Sequence, residues 1–258
     1  MPNWSTTSFT VRGPQDEIED FYNGVMAEVS PEKKMCILTT YVPCPEELNI
    51  SSTYTYEEIP EQWAESVADG TWTKEEYDKR VADNSELQIK QQDNLKKYGS
   101  KDWYDWQHEN WGVKWGDCDT YMDSPYDSGY NNTWMIHGGF QTAWGTATQG
   151  WQKVSERFPK CLFEFHSDEE AGFFAGTEAT ENGDLVFQDY YEPTEYPEEV
   201  DWDDEDSTTK FEDWKDELAM GIASRYKDFL KKAEWIQDEK PLVRRLAIAT
   251  STKPHFWK

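Results

Sequence analysis

The sequence predicts an α+β fold on three observations. Short runs of alternating apolar residues, the mark of half-buried strands, are interspersed with runs whose apolar residues recur every three to four positions, the mark of helices. Gly and Pro punctuate the borders, as at Gly13-Pro14, Pro43-Cys44-Pro45 and Asn182-Gly183. Aromatic residues make up 16% of the 258 positions, enough apolar area to build a core although aliphatic residues are sparse.

Ser8 to Arg12 alternates as a strand and stops at Gly13-Pro14. Gln15 to about Val25 follows as an amphipathic helix, with Ile18, Phe21, Tyr22 and Val25 on one face and acids in its first turns. Lys34 to Val42 reads as a second strand. Residues 60–98 read as a helical insertion: a short helix marked by Trp63 and Val67, then a longer one opened by a capping box at Thr73–Glu76. The longer helix carries Tyr77, Val81, Leu87 and Leu95 and ends near Gly99. Trp103 to Tyr121 reads as a turn plus a strand, and Trp134 to Trp144 as a strand with a bulge at Gly138-Gly139. Thr146 to Phe158 is a helix with Trp151, Val154 and Phe158 inward. Cys161 to His166 and Phe173 to Thr180 are strands, and a hairpin at Glu181-Asn182-Gly183-Asp184 joins the second to Leu185–Tyr191. Phe211 to about Gln237 is one long helix whose 3–4 spacing predicts a buried face. The tail from Leu242 carries a candidate strand at Leu246–Ala249 and a basic end.

This order of elements fits a ferredoxin-like split βαβ sandwich. The helical insertion interrupts it and a C-terminal helical extension follows it. Residues 1–190 form the ferredoxin-like domain. Residues 191–258 form an acidic segment, long helix and basic tail expected to pack on that domain. Several short motifs also resemble the YubB-type ferredoxin-like family of phage and plasmid proteins. They are Met1-Pro2-Asn3-Trp4, Pro43-Cys44-Pro45-Glu46-Glu47-Leu48, Asp102-Trp103-Tyr104-Asp105-Trp106, Asn110-Trp111-Gly112-Val113-Lys114-Trp115, Phe140-Gln141-Thr142-Ala143-Trp144, Arg157-Phe158-Pro159 and Phe174-Ala175-Gly176. The chain departs from the family pattern at Ser5, Val113 and Gly145-Thr146-Ala147. The resemblance implies a fold and a mobile-element origin, and it implies no activity.

Charge narrows the function. With 52 acidic and 25 basic side chains the formal charge is −27, which opposes direct binding of nucleic acid or an anionic membrane. No apolar run is long enough to cross a bilayer, and the first residues lack a basic region followed by an apolar stretch, so a cytoplasmic location is expected. Four dispersed cysteines, Cys36, Cys44, Cys118 and Cys161, show no metal or cluster spacing. No metal or cofactor is expected.

The charge is clustered. Residues 189–217 hold 14 acids and two bases, and Glu195 to Asp206 holds eight carboxylates in 12 residues. Extended, that stretch would carry about one charge per 5 Å, against one per ~3.4 Å along a DNA strand. Glu195, Glu198, Glu199, Asp201, Asp203, Asp204, Glu205 and Asp206 are therefore the candidate partner-binding residues. The expected partner is a host protein with a basic, nucleic-acid-binding surface, a defence factor inhibited by a nucleic-acid mimic. A solvated acidic linker is the plain alternative.

A second reading is a nucleotide-binding or nucleotide-hydrolysing pocket at Trp111, Lys114, Trp115 and His137. Lys114 there either meets a phosphate or packs its stem on the rings and pairs with Asp105 or Asp117. A third reading is an assembly protein that forms homo-oligomers through the C-terminal helix. His108, His137 and His166 are candidate general bases and Asp117, Asp119, Asp123 and Asp127 candidate Mg²⁺ ligands, but no nucleophile elbow or phosphate loop accompanies them, and no catalytic residue is assigned.

Overall fold

A computed structural model describes residues 3–169, 174–191, 196 and 198–236. Glu195 and the candidate strand at residues 246–249 lie outside the described residues. The described elements run β1 (Trp4–Gly13), α1 (Gln15–Glu28), α2 (Ile37–Tyr41), α3 (Glu61–Ala68), α4 (Lys74–Tyr98), α5 (Trp103–Asn110), β2 (Lys114–Met122), β3 (Tyr126–Asp127), β4 (Trp134–Ala143), α6 (Thr148–Arg157), β5 (Leu162–Glu169), β6 (Ala175–Glu181), β7 (Asp184–Tyr191) and α7 (Glu205–Lys232). The strands form one mixed-connection sheet in the order β2-β4-β1-β5-β6-β7, with β3 beside β4, and every pairing is antiparallel.

Strand alternation sorts side chains onto two faces. Phe9 and Val11 of β1, Ile136 and Phe140 of β4, and Phe163 and Phe165 of β5 point to one face. There they meet Ile18, Phe21 and Val25 of α1 and Trp151, Val154 and Phe158 of α6. Aromatic contacts dominate this core: Phe140 stacks on Trp151 with centroids 5.3 Å apart, and Trp151 lies 4.7 Å from Phe165. The opposite face carries Leu162 and Ala179, covered by Tyr226 and Leu230 of α7. The sheet is thus the middle layer, and the apolar stripe predicted for the C-terminal helix is spent on it.

Arg12 and Glu164 lie beneath α7 and form a bidentate pair, Nη2 to Oε1 at 2.9 Å and Nε to Oε2. Their side chains are 8% and 1% exposed. Burial alone would lower the Arg12 pKa, and Glu164 more than reverses that, while burial and then Glu164 push the Tyr226 phenol well above its usual value. Arg225 of α7 bonds Asp189 of β7 at 2.5 Å, fastening the helix to the edge strand.

Several expectations are corrected. Lys34 to Val42 is not a strand: residues 37–41 form α2. The buried Asp117 carboxylate accepts the Ile37 and Leu38 backbone N–H groups at 2.7 and 2.8 Å and caps that turn from 80 residues away. Trp103 to Asn110 is a helix, capped by Asp102, whose carboxylate accepts from the Tyr104 and Asp105 amides. The long helix begins at Glu205 rather than Phe211, because Asp204 caps it and Glu205 and Asp206 favour its positive end. The β1–β4 pairing runs one to one through Gly138-Gly139, and the irregularity lies on the other side of β4, where the β2 register shifts between Cys118 and Tyr121, the partner of Gly139. Those glycines serve close approach: a Cβ at Gly138 would stand 2.4 Å from the Phe9 ring.

The helical insertion packs by amides as much as by apolar groups. Asn84 bonds both backbone groups of Tyr56, Gln91 donates to the Ser51 and Thr53 carbonyls, and Asn94 donates to those of Glu47 and Lys101. Leu95, expected on the apolar face, is exposed. The predicted capping box is present at Thr73 and Glu76.

One buried acid makes the core sensitive to pH. Glu178 is 1% exposed, and Thr148 Oγ1 donates to it at 2.7 Å. Burial pushes its pKa above the ordinary 4.5, and the Thr148 bond offsets this only in part. The folded state therefore holds the proton more tightly than the unfolded chain, and Glu178's contribution to stability falls as pH rises through the window above 4.5. Glu178→Gln should remove that loss. Its Tm, followed by thermal denaturation across pH, should exceed the parent's at neutral pH, and the two should converge on acidification.

Candidate functional site

The acidic residues singled out from sequence occupy one surface. Glu198, Glu199, Asp201, Asp203, Asp204, Glu205 and Asp206 are all exposed. The loop before α7 is folded back on itself: Asp201 Oδ1 accepts the Asp203 amide at 3.1 Å, the Asp201 amide donates to Ser207 Oγ at 3.0 Å, and Asp204 Oδ2 accepts the Ser207 amide at 3.3 Å. Trp202 anchors the loop edge-on to Phe211, which stacks on Trp214. The segment is therefore a capped helix start and its lead-in loop, and the extended strand assumed for the charge spacing does not describe it.

Helical geometry continues the strip beyond the predicted residues. Glu212, Asp213, Asp216 and Glu217 are exposed on α7, about two and three turns past Glu205 and Asp206. The 3–4 spacing of the apolar residues carried this signal, since the intervening positions must face water. Six carboxylates between residues 205 and 217 lie along about 18 Å of helix, or about one per 3 Å. A DNA strand carries one per ~3.4 Å. Among the described residues of the strip, the single ion pair is Glu212 with Lys215, at 3.6 Å.

The four residues of the candidate ligand pocket are not gathered at one place. Trp111 is buried in the core, with its Nε1 donating to the Val42 carbonyl at 2.9 Å. His137 lies on β4, where Nδ1 meets Thr10 Oγ1 at 2.8 Å and Nε2 meets Tyr126 Oη at 2.5 Å. Lys114 and Trp115 stand together at the start of β2, where Lys114 pairs in register with Ala143, while His137 lies six residues further back along β4. Neither expected partner holds Lys114. Asp105 pairs with Lys101 at 3.4 Å, and Asp117 caps α2. The ammonium instead lies 4.2 Å from the Trp115 ring, with Tyr104 and Trp103 at 5.7 and 5.8 Å.

The remaining chemical candidates have structural employment. His166 is half-buried with its ring edge-on to Tyr226, desolvation lowers its pKa, and its Nδ1 meets Thr177 Oγ1 at 2.8 Å. His108 packs on Tyr104 with centroids 4.4 Å apart. All four cysteines are free, and burial pushes Cys44 up to about 11 and Cys36 up to about 12, so neither offers a thiolate near neutral pH. Among the described residues no cluster of three His, Cys, Asp or Glu is arranged to hold a metal ion, and no helix is long and apolar enough to cross a membrane.

No protein-family model matches the sequence, and no curated protein matches it. Among solved structures, the protein api92 from Yersinia pseudotuberculosis is similar over 74% of this chain and 98% of its own, at 8% identity and a TM-score of 0.39. That degree of likeness carries neither fold nor function across.

Proposed function

We propose that this chain is an accessory protein of a phage or plasmid that binds and inhibits a host defence factor, presenting its acidic strip in place of nucleic acid. The observation that carries the reading is the exposed run of eleven carboxylates at residues 198–217, held on a capped helix and the loop that leads into it. Along α7 the six carboxylates at residues 205–217 are spaced closer to the charges of a DNA strand than they would be in an extended segment. Complementary charge would speed encounter and set orientation on a basic surface. The strand order supports a ferredoxin-like reading of the sheet's core. Within β5-β1-β4-β2, α1 follows β1 before the chain returns through β2 on the far side of β4, and α6 links β4 to β5 across β1. The YubB-type resemblance and the bacterial cytoplasm belong to the same proposal. Use of α7 as an oligomer contact is less favoured, since its apolar stripe faces the sheet.

The test replaces Glu198, Glu199, Asp201, Asp203, Asp204, Glu205 and Asp206 with Asn or Gln. Asn keeps the Asp204 cap, so the helix should survive, as circular dichroism would report. Partner binding should be abolished, and unchanged inhibition would sink the mimicry reading.

A further inference from the structure

Two exposed tryptophans hold a backbone conformation that bulky residues rarely adopt. Trp115 and Trp144 have φ of 74° and 71°, in the left-handed region that favours glycine. Each stands one residue from the register pair Lys114–Ala143. Their neighbours enforce the strain. Gln107 Oε1 accepts the Trp115 amide at 2.9 Å, the Asn3 carbonyl accepts the Trp144 amide at 2.9 Å, and Thr142 Oγ1 closes the following turn on the Gly145 carbonyl at 2.6 Å. Strain maintained in this way clusters at sites of function. Burial does not repay it, since the indoles are 42% and 59% exposed, whereas Trp111 and Trp151 are 3% and 1% exposed.

Lys114 is the β2 partner of Ala143 in that register pair, and Trp4, which pairs with Ala143 from β1, holds its ring 6.3 Å from that of Trp115. The Lys114 ammonium lies over the Trp115 ring, and among the described residues no carboxylate is within ion-pair distance, in a chain with two acids for every base. A cation kept from neutralisation beside rings kept from burial matches a ligand that joins a flat aromatic ring to an anion.

We infer that Lys114, Trp115 and Trp144 form a binding site for a nucleoside monophosphate, the base stacking on an exposed indole and the phosphate pairing with Lys114. The site is separate from the acidic strip and does not depend on the function proposed for it. The monomer is preferred to a strand because each further phosphate meets the repulsion of a strongly acidic chain.

The test titrates the full chain with AMP, GMP, CMP and UMP by calorimetry, alongside adenosine and a short single-stranded oligonucleotide. At least one monophosphate should bind. Adenosine should bind more weakly than AMP, and the oligonucleotide more weakly than its monomer. Lys114→Gln and Trp144→Gly should each weaken binding about tenfold or more, a loss of the size expected for one stacked base, while Lys114→Arg retains it. Trp144→Gly carries a second readout: glycine relieves the left-handed backbone, so its Tm should hold or rise as binding falls. No heat from any of the four monophosphates would overturn the site. So would variants that bind like the parent, tighter binding of the oligonucleotide, or a fall in the Tm of Trp144→Gly that accounts for its lost binding.

Discussion

Arg12→Met should destabilise the fold by about 3–5 kcal/mol, the loss expected when one member of a buried ion pair is removed. Glu164 would be left inside the protein with its cation gone. It is 1% exposed, roofed by α7, and its neighbours on the same face of β5 are Leu162 and His166. The isolated carboxylate must then draw water into the layer between sheet and helix. A second variant separates this from lost packing. Arg12→Met with Glu164→Leu should recover much of the deficit, since an apolar pair of similar volume is often neutral. Denaturant unfolding measures both variants. A loss below about 1 kcal/mol for the single variant would place the pair among surface-like ion pairs.

Ending the chain at Tyr191 should abolish cooperative folding, the largest effect expected. It removes Phe211, Ile222, Tyr226 and Leu230, all buried at 4% exposure or less. A buried side chain of this kind contributes about 1.5–3 kcal/mol, so the four together approach the about 5–15 kcal/mol that holds a whole domain. The cut also uncovers Leu162 and Ala179 on the sheet and strips Phe187 of its ring contacts with Tyr226 and Phe229. The truncated chain should aggregate or lose its sharp thermal transition. A monomer that unfolds as sharply as the parent would show that residues 1–190 stand alone, as a domain boundary near residue 190 would suggest.

Features with local causes were legible in the sequence. The Thr73–Glu76 capping box, the Asn182-Gly183 hairpin and the stripe of the last helix each depend on residues a few positions apart. The structure has them, with φ of 50° and 87° at the two turn residues. The misread elements depend on distant or ambiguous partners. Ile37-Leu38-Thr39-Thr40-Tyr41 is rich in β-branched and aromatic residues and favours a strand. It is helical because Asp117, remote in sequence, satisfies its first amides. Asp102 before Trp103 and Asp204 before Glu205 were local signals of helix starts, masked by aromatic density in one case and by the acidic run in the other.

The candidate sites divide along the same line. The acidic strip was visible as composition, and its extension through Glu212 to Glu217 follows from helical spacing. The Trp115–Lys114–Trp144 corner was half visible. Lys114 and Trp115 are neighbours in sequence, but Trp144 reaches them only through the pairing of β2 with β4, and left-handed backbone at two tryptophans has no signature in residue type. Trp111 and His137, chosen for proximity in sequence or for chemistry, serve the core and a separate hydroxyl–imidazole contact.

The most direct measurement of the proposed function is an affinity capture from bacterial lysate with the full chain and with its neutralised variant, each at low and high salt and with duplex DNA as competitor. A nucleic-acid-binding protein should be captured by the parent at low salt, released by high salt or by DNA, and missed by the variant. Capture that survives high salt and DNA, or that the neutralised chain performs equally well, would contradict mimicry by the strip at residues 198–217.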